Sequence, residues 1–176
     1  MHTVVMRLPT WLTVLALAAA WATSVPSGLG AKGSKGCALE GATFMAFGNY
    51  DPMRNSPLDL QGRVSYVCYT ETSSADAASS DSDNGKLIVQ ISITAGNAGS
   101  FNRYMNGSSD RLHYNLYLDP QRYTVWGDGT GGTQIYSEHA QPNNRVVVVP
   151  VYGRVFGAQD VGAGSYVDQL IVTLDF

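Results

Sequence analysis

The chain has 176 residues, 44% of them hydrophobic, and 11 Lys and Arg stand against 14 Asp and Glu for a formal charge of −3. That length supports one hydrophobic core. The acidic balance argues against nucleic acid and anionic membranes as partners, since a negative surface is repelled by both.

Residues 1–22 read as a secretory signal. Arg7 supplies the positive n-region, Trp11 to Ala22 form the apolar run, and Ala20-Trp21-Ala22 is an A-x-A cleavage site. The run is too short to span a bilayer, and no later segment reaches membrane length, so a soluble product outside the cytoplasm, without membrane insertion, is expected. Residues 23–36 form an N-terminal extension and 37–176 a single domain. The two cysteines, Cys37 and Cys68, both fall in the exported part, where an oxidising compartment makes a disulfide the default. Closing a loop of about 30 residues restricts the unfolded chain by roughly 3–4 kcal/mol in the entropy model. A redox or metal pair is the alternative, but neither a C-x-x-C nor a nearby histidine supports it.

Beyond Cys37 the signals are strand and turn. Runs at Ala42–Phe47, Gly62–Thr72, Lys86–Thr94, Leu112–Leu118, Tyr123–Trp126, Val146–Phe156 and Tyr166–Phe176 are separated by Gly, Asn, Asp and Pro clusters. Every second position is apolar in the set Leu87, Val89, Ile91 and Ile93, and again in Leu112, Tyr114, Leu116 and Leu118. With 19 glycines and no 3.6-residue period, the pattern predicts an all-β sandwich. The last run is the most informative. Leu170, Val172, Leu174 and Phe176 occupy one face up to the final residue, and such an apolar edge aggregates unless something covers it. Another chain is the expected cover.

The polar segment Thr72–Asn84 reads as a solvated loop. Calcium at Asp81, Asp83 and Asn84 fails on spacing, because Gly85 and Ser92 stand where further ligands belong. Gly127-Asp-Gly-Thr-Gly-Gly132 is a literal G-x-G-x-x-G, but no helix follows, so it predicts a turn and no dinucleotide. His113 lies on a strand and His139 in a polar stretch. Asp119, Asp128, Asp160 and Asp168 read as turn and strand-end residues, leaving open only carboxylates paired by folding. Asn106-Gly-Ser108 fits a glycosylation acceptor and, equally, a turn. Neither G-x-S-x-G nor H-E-x-x-H occurs. No catalytic residue, cofactor or metal site is expected.

A family resemblance is carried by Cys37, Phe47-Gly-Asn-Tyr50, Val64-Ser-Tyr-Val-Cys68, Arg103-Tyr-Met105, Leu112-His-Tyr-Asn-Leu-Tyr-Leu-Asp119, Trp126-Gly-Asp-Gly-Thr130, Val151-Tyr-Gly-Arg154, Gln159 and Gly164-Ser-Tyr-Val-Asp168, with a closing V-T-L-x-F. In this order, from Cys37 to Phe176, they resemble the spore coat protein U domain, the family that includes archaic chaperone–usher pilus subunits. The resemblance implies an incomplete immunoglobulin-like sandwich lacking its last strand and completed by donor-strand exchange. It implies as partners a periplasmic chaperone, an outer-membrane usher and other pilus subunits, with passage through the periplasm to an extracellular fibre or the cell surface. Leu170, Val172, Leu174 and Phe176 would then line the acceptor groove.

One segment departs from the pilus-rod pattern. The extension offers only Val25, Leu29 and Ala31 in one phase as a donor strand, interrupted by Pro26 and glycines, which weaken a ladder. A minor subunit, a weakly polymerising one and a coat protein outside a rod all fit. A self-sufficient secreted module that binds polysaccharide through loops near Tyr104 and Trp126 is the competing class, and a secreted enzyme a third. The failed calcium and dinucleotide patterns predict that thermal melts with EDTA, calcium or NAD coincide; a shift of several degrees would reverse this reading.

Overall fold

The computed structural model describes residues 4–5, 35–43, 45–70 and 86–176. Apart from Val4–Val5, residues 1–22, expected as a signal, lie outside them, as do Val25, Leu29 and Ala31 and the Thr72–Asn84 segment with its calcium candidates. The described strands are β1 (Val4–Val5), β2 (Lys35–Ala42), β3 (Asn49–Tyr50), β4 (Leu58–Thr70), β5 (Leu87–Ile93), β6 (Tyr104–Asn106), β7 (Arg111–Tyr117), β8 (Tyr136–Ala140), β9 (Val146–Val155) and β10 (Val172–Asp175). A 3-10 turn at Gly96–Ala98 accompanies them, and no α-helix occurs among the described residues.

The strands form an all-β sandwich. A five-stranded sheet has the order β2-β4-β9-β7-β6, a three-stranded sheet the order β10-β5-β8, and β1 pairs with β3. All ladders are antiparallel. Period-2 alternation fills the space between the sheets: Val64, Tyr66 and Cys68 of β4, Leu112, Tyr114 and Leu116 of β7, and Val149, Val151 and Val155 of β9 meet Val89, Ile91 and Ile93 of β5. Gly153 interrupts the valines of β9 for a steric reason. A Cβ there would lie 2.6 Å from Met45 Cε and 2.7 Å from Phe47 Cζ, so the missing side chain is the space those two occupy.

Several predicted boundaries need correction. The Ala42–Phe47 run is not a strand; β2 ends at Ala42, and Met45 and Phe47 instead fold onto the core. Tyr123–Trp126 contributes only isolated bridges, Tyr117 with Val125 and Trp126 with Gln134. β6 and β8 were not read from sequence because each is short and buries a single residue. Tyr166–Phe176 is not one strand but two pairings. Val167 bridges to Asn106 of the larger sheet, and only Val172–Asp175 joins the smaller one, beside β5.

Cys37 and Cys68 are bonded. They sit directly opposite in the β2–β4 register and are 7% and 2% exposed, so the bond fastens an edge strand to its only ladder partner among the described residues. Replacing both with serine is expected to cost about 2–5 kcal/mol, measurable as a lowered denaturation midpoint; an unchanged midpoint would show that the bond adds nothing beyond the ladder.

Candidate functional site at the C-terminal strand

The C-terminal segment keeps one face inward from Tyr166 to the end, but its cover thins along the way. Tyr166 and Asp168 are 3% and 1% exposed, Leu170, Val172 and Leu174 are partly buried against the core, and Phe176 is 58% exposed. β10 pairs with β5 on one side, through Val172–Ile93 to Asp175–Gln90, and has no ladder on its other side among the described residues.

β2 shows the same deficit from the opposite sheet. Leu39 stands across from Tyr66, whose side chain is fully buried, and so faces inward, yet Leu39 is 39% exposed. A bulge after Leu39 shifts the register, and the residues from Leu39 to Ala42 are all exposed. β2 and β10 approach within 8 Å with no ladder between them. Apolar side chains on the inward faces of two neighbouring edges are therefore only partly covered by the described residues. Among the described residues no ladder takes up the outer backbone donors and acceptors of either strand.

The start of the segment is tightly held. Asp168, read from sequence as a strand-end residue, is a buried anchor: its carboxylate accepts the Tyr114 hydroxyl at 2.6 Å and the backbone N–H groups of Asn97 and Gln169 at 2.8 Å each. A Cβ at Gly96 would reach within 2.3 Å of that carboxylate. Ile171 N–H donates to Thr94 Oγ1 at 3.0 Å, and Thr94 N–H to the Ile171 carbonyl at 3.0 Å. Behind Thr94 lies Arg103, wholly buried. Its Nη2 donates to the Thr94 and Trp126 carbonyls at 2.8 Å and to Ile93 at 3.2 Å, its Nε to Thr94 at 3.0 Å and its Nη1 to Asn115 Oδ1 at 2.8 Å. Burial lowers the arginine's pKa from its ordinary value. Sequence reasoning had Arg103 only as part of a motif, and no compositional signal marks a lone cation as buried.

The other candidates are dispersed. Trp126 is fully buried with Nε1 donating to the Ile91 carbonyl at 2.9 Å, so it offers no surface to a ligand, contrary to the sugar-loop expectation. Tyr104 packs edge-on against His113 at 5.9 Å and under Arg111 at 4.4 Å. His139 is exposed on β8. Asp119 and Asp128 accept backbone N–H groups within their own turns, and Asp160 is an exposed loop residue. Asn106 ends β6, and Gly107 N–H closes a turn onto the Asp110 carbonyl. Gly127–Gly132 is a turn with φ of +85°, +57° and +81° at Gly129, Gly131 and Gly132. No group of three or more potential metal ligands occurs among the described residues, and no helix there is long and apolar enough to cross a membrane.

Comparison with known proteins places this architecture. The family pattern described as Spore Coat Protein U domain matches residues 27–173, beginning inside the segment read as an extension. Protein U of Myxococcus xanthus is 33% identical over 152 residues, which are 77% of this chain and 73% of that protein. A solved likeness is the CsuC–CsuE chaperone–tip adhesion subunit pre-assembly complex from archaic chaperone-usher Csu pili of Acinetobacter baumannii. One of its chains matches with a TM-score of 0.50 at 16% identity, over 81% of this chain and 40% of that one. This chain thus spans less than half of that chain's length, and the likeness is one of fold.

The buried phenols generate a pH prediction. Burial, and then the Asp168 carboxylate, push the Tyr114 phenol well above its ordinary 10.0; burial first, and Glu138 after it, raise Tyr66. The folded state holds these protons more tightly than the unfolded chain, so the stabilisation is complete below the unfolded value and is lost as pH rises through the folded ones. Melting temperature should be insensitive to tyrosine ionisation up to about pH 9.5 and fall above about pH 10. Tyr114→Phe should soften that fall while costing about 1–3 kcal/mol at neutral pH, by removing a donor from a buried carboxylate. Melts followed together with phenolate absorbance test both; equal alkaline slopes in the two proteins would refute the assignment.

Proposed function

Because this chain belongs to the Spore Coat Protein U domain family, we propose that it is an exported structural or adhesive subunit of an archaic chaperone–usher pilus or of a cell-surface or spore coat, completed by a β-strand from another chain. Residues 1–22 direct export, and residues 37–176 form the sandwich. The partners are a periplasmic chaperone first, then an outer-membrane usher and neighbouring subunits, with the end point at the cell surface. The role is mechanical, with no catalysis.

The single observation that carries this reading is Leu39, in register with a fully buried tyrosine and itself open. Together with Leu170, Val172 and Leu174, partly buried against the core, and the exposed Phe176, it would give the incoming strand apolar neighbours on both sides of a slot between β2 and β10. Such a strand would satisfy the open edges with backbone hydrogen bonds and place alternate side chains inward. If about four apolar side chains are buried this way, each contributing roughly 1.5–3 kcal/mol, the gross gain of roughly 6–12 kcal/mol is comparable with the stability of a whole domain. The chain's own donor segment, Val25, Leu29 and Ala31, is weak, which favours a minor, terminal or coat position over a rod. Its acceptor side is the stronger half.

Co-expression with a cognate chaperone tests the proposal. Val172→Asp and Leu174→Asp, on the inward face, should abolish co-purification, while Thr173→Asp, between them on the outward face, should leave it intact. Full capture of both inward variants would remove the slot from the mechanism. So would a structure of the chaperone-bound subunit with no foreign strand between β2 and β10.

A further inference from the structure

The turn Gly127–Thr133 and the segment Gly99–Asn102 border an open cleft of about 620 Å³, within the ~300–1,000 Å³ range of small-molecule sites. Phe101 forms one wall. The Arg103 guanidinium lies 5.0 Å from its ring centroid, and its carbonyl accepts Asn115 Nδ2 at 2.8 Å. Gly127 packs so closely that a Cβ there would come within 2.6 Å of Phe101 Cε1. An aromatic ring fixed by a buried network is a rigid contact surface that loses little conformational freedom on binding.

The facing wall is equally fixed. Thr133 Oγ1 donates to the Thr130 carbonyl at 2.7 Å and accepts Gly129 N–H at 3.2 Å. Asp128 Oδ1 accepts both the N–H of Thr130 at 2.9 Å and its hydroxyl at 2.6 Å. Those bonds all use Oδ1, and among the described residues Oδ2 has no hydrogen-bond donor, which leaves it to accept from a ligand. The bond from the Thr130 hydroxyl, with that from its N–H, holds the Asp128 carboxyl below the ordinary carboxylate range. The side chains of Ser100 and Asn102, both exposed, stand at the rim and supply further donors and acceptors.

We propose that this cleft binds a neutral saccharide of one or two pyranose units. The C–H face of the sugar lies on Phe101, two hydroxyls donate to Asp128 Oδ2, and Asn102 and Ser100 exchange hydrogen bonds with the remaining hydroxyls. A fixed anion at Asp128 excludes acidic sugars by like-charge repulsion. The site is separate from the slot between β2 and β10 and does not depend on what fills that slot.

Saturation-transfer NMR on the soluble subunit, complexed with whatever strand completes it, provides the test. The probes are methyl α-glucopyranoside, methyl β-galactopyranoside, methyl N-acetyl-β-glucosaminide, the disaccharides of these units, and methyl β-glucuronide as the acidic arm. At least one neutral probe should bind with a Kd on the order of millimolar, with the glucuronide at least about tenfold weaker. Asp128→Asn keeps the Oδ1 acceptor of the turn but turns Oδ2 into a donor; it and Asn102→Ala should each weaken binding about tenfold or more. Tyr123→Ala, exposed on another loop, should not change it. Absence of transfer from every neutral probe up to about 20 mM would overturn the proposal. So would binding that survives both Asp128→Asn and Asn102→Ala, or a glucuronide that binds as well as the neutral probes.

Discussion

A guanidinium shut off from water ties the two sheets together. Arg103 reaches from the segment before β6 to the carbonyls that end β5, to Trp126, and to Asn115 on β7, so one side chain closes hydrogen bonds on both sheets. Burying a charge is costly unless its donors are met, and here carbonyls and an amide meet them where strands stop and their acceptors would otherwise face the core. Much else hangs from this point. Thr94 passes the connection to Ile171 and so to β10, while Asn115 and the guanidinium fix Phe101. The position of the open edge and the rigidity of the cleft share one source.

How legible this was depended on the kind of signal. β5, β7 and β9 were read to within a residue or so because each buries alternate large apolar side chains, and burial on one face is what period-2 patterning records. Tyr136–Ala140 escaped because Ser137, Glu138 and His139 are all exposed; an edge strand held by backbone bonds leaves little trace in side-chain chemistry. The last eleven residues are the instructive case. Their alternation puts Leu170, Val172, Leu174 and Phe176 on one face; the first three pack partly against the core and Phe176 is exposed. The buried Asp168, read as a strand-end residue, was missed, and periodicity names a face and not a sheet. The crossing from Asn106 to β5 was therefore invisible. Arg103 was equally hidden, since its burial is decided by carbonyls from three distant segments.

The two walls of the proposed slot differ in legibility. The apolar face of the C-terminal strand shows in its pattern, whereas Leu39 does not stand out, because it sits in a stretch with Glu40 and Gly41 that has no clean alternation. It becomes visible only through the register that sets Leu39 across from Tyr66. An inward position that remains open is a property of neighbours, and a linear pattern carries no information about missing ones.

The Cys37–Cys68 bond has a further consequence when the molecule carries load. Tension applied between the two ends of the chain passes through the crosslink rather than around the 31-residue interval it closes. That interval, ~100 Å of contour if drawn straight, is withheld from extension for as long as the bond is intact. What lengthens first under pulling must then lie outside that interval, before Cys37 or beyond Cys68, and the two cysteines stay opposite each other while other strands peel.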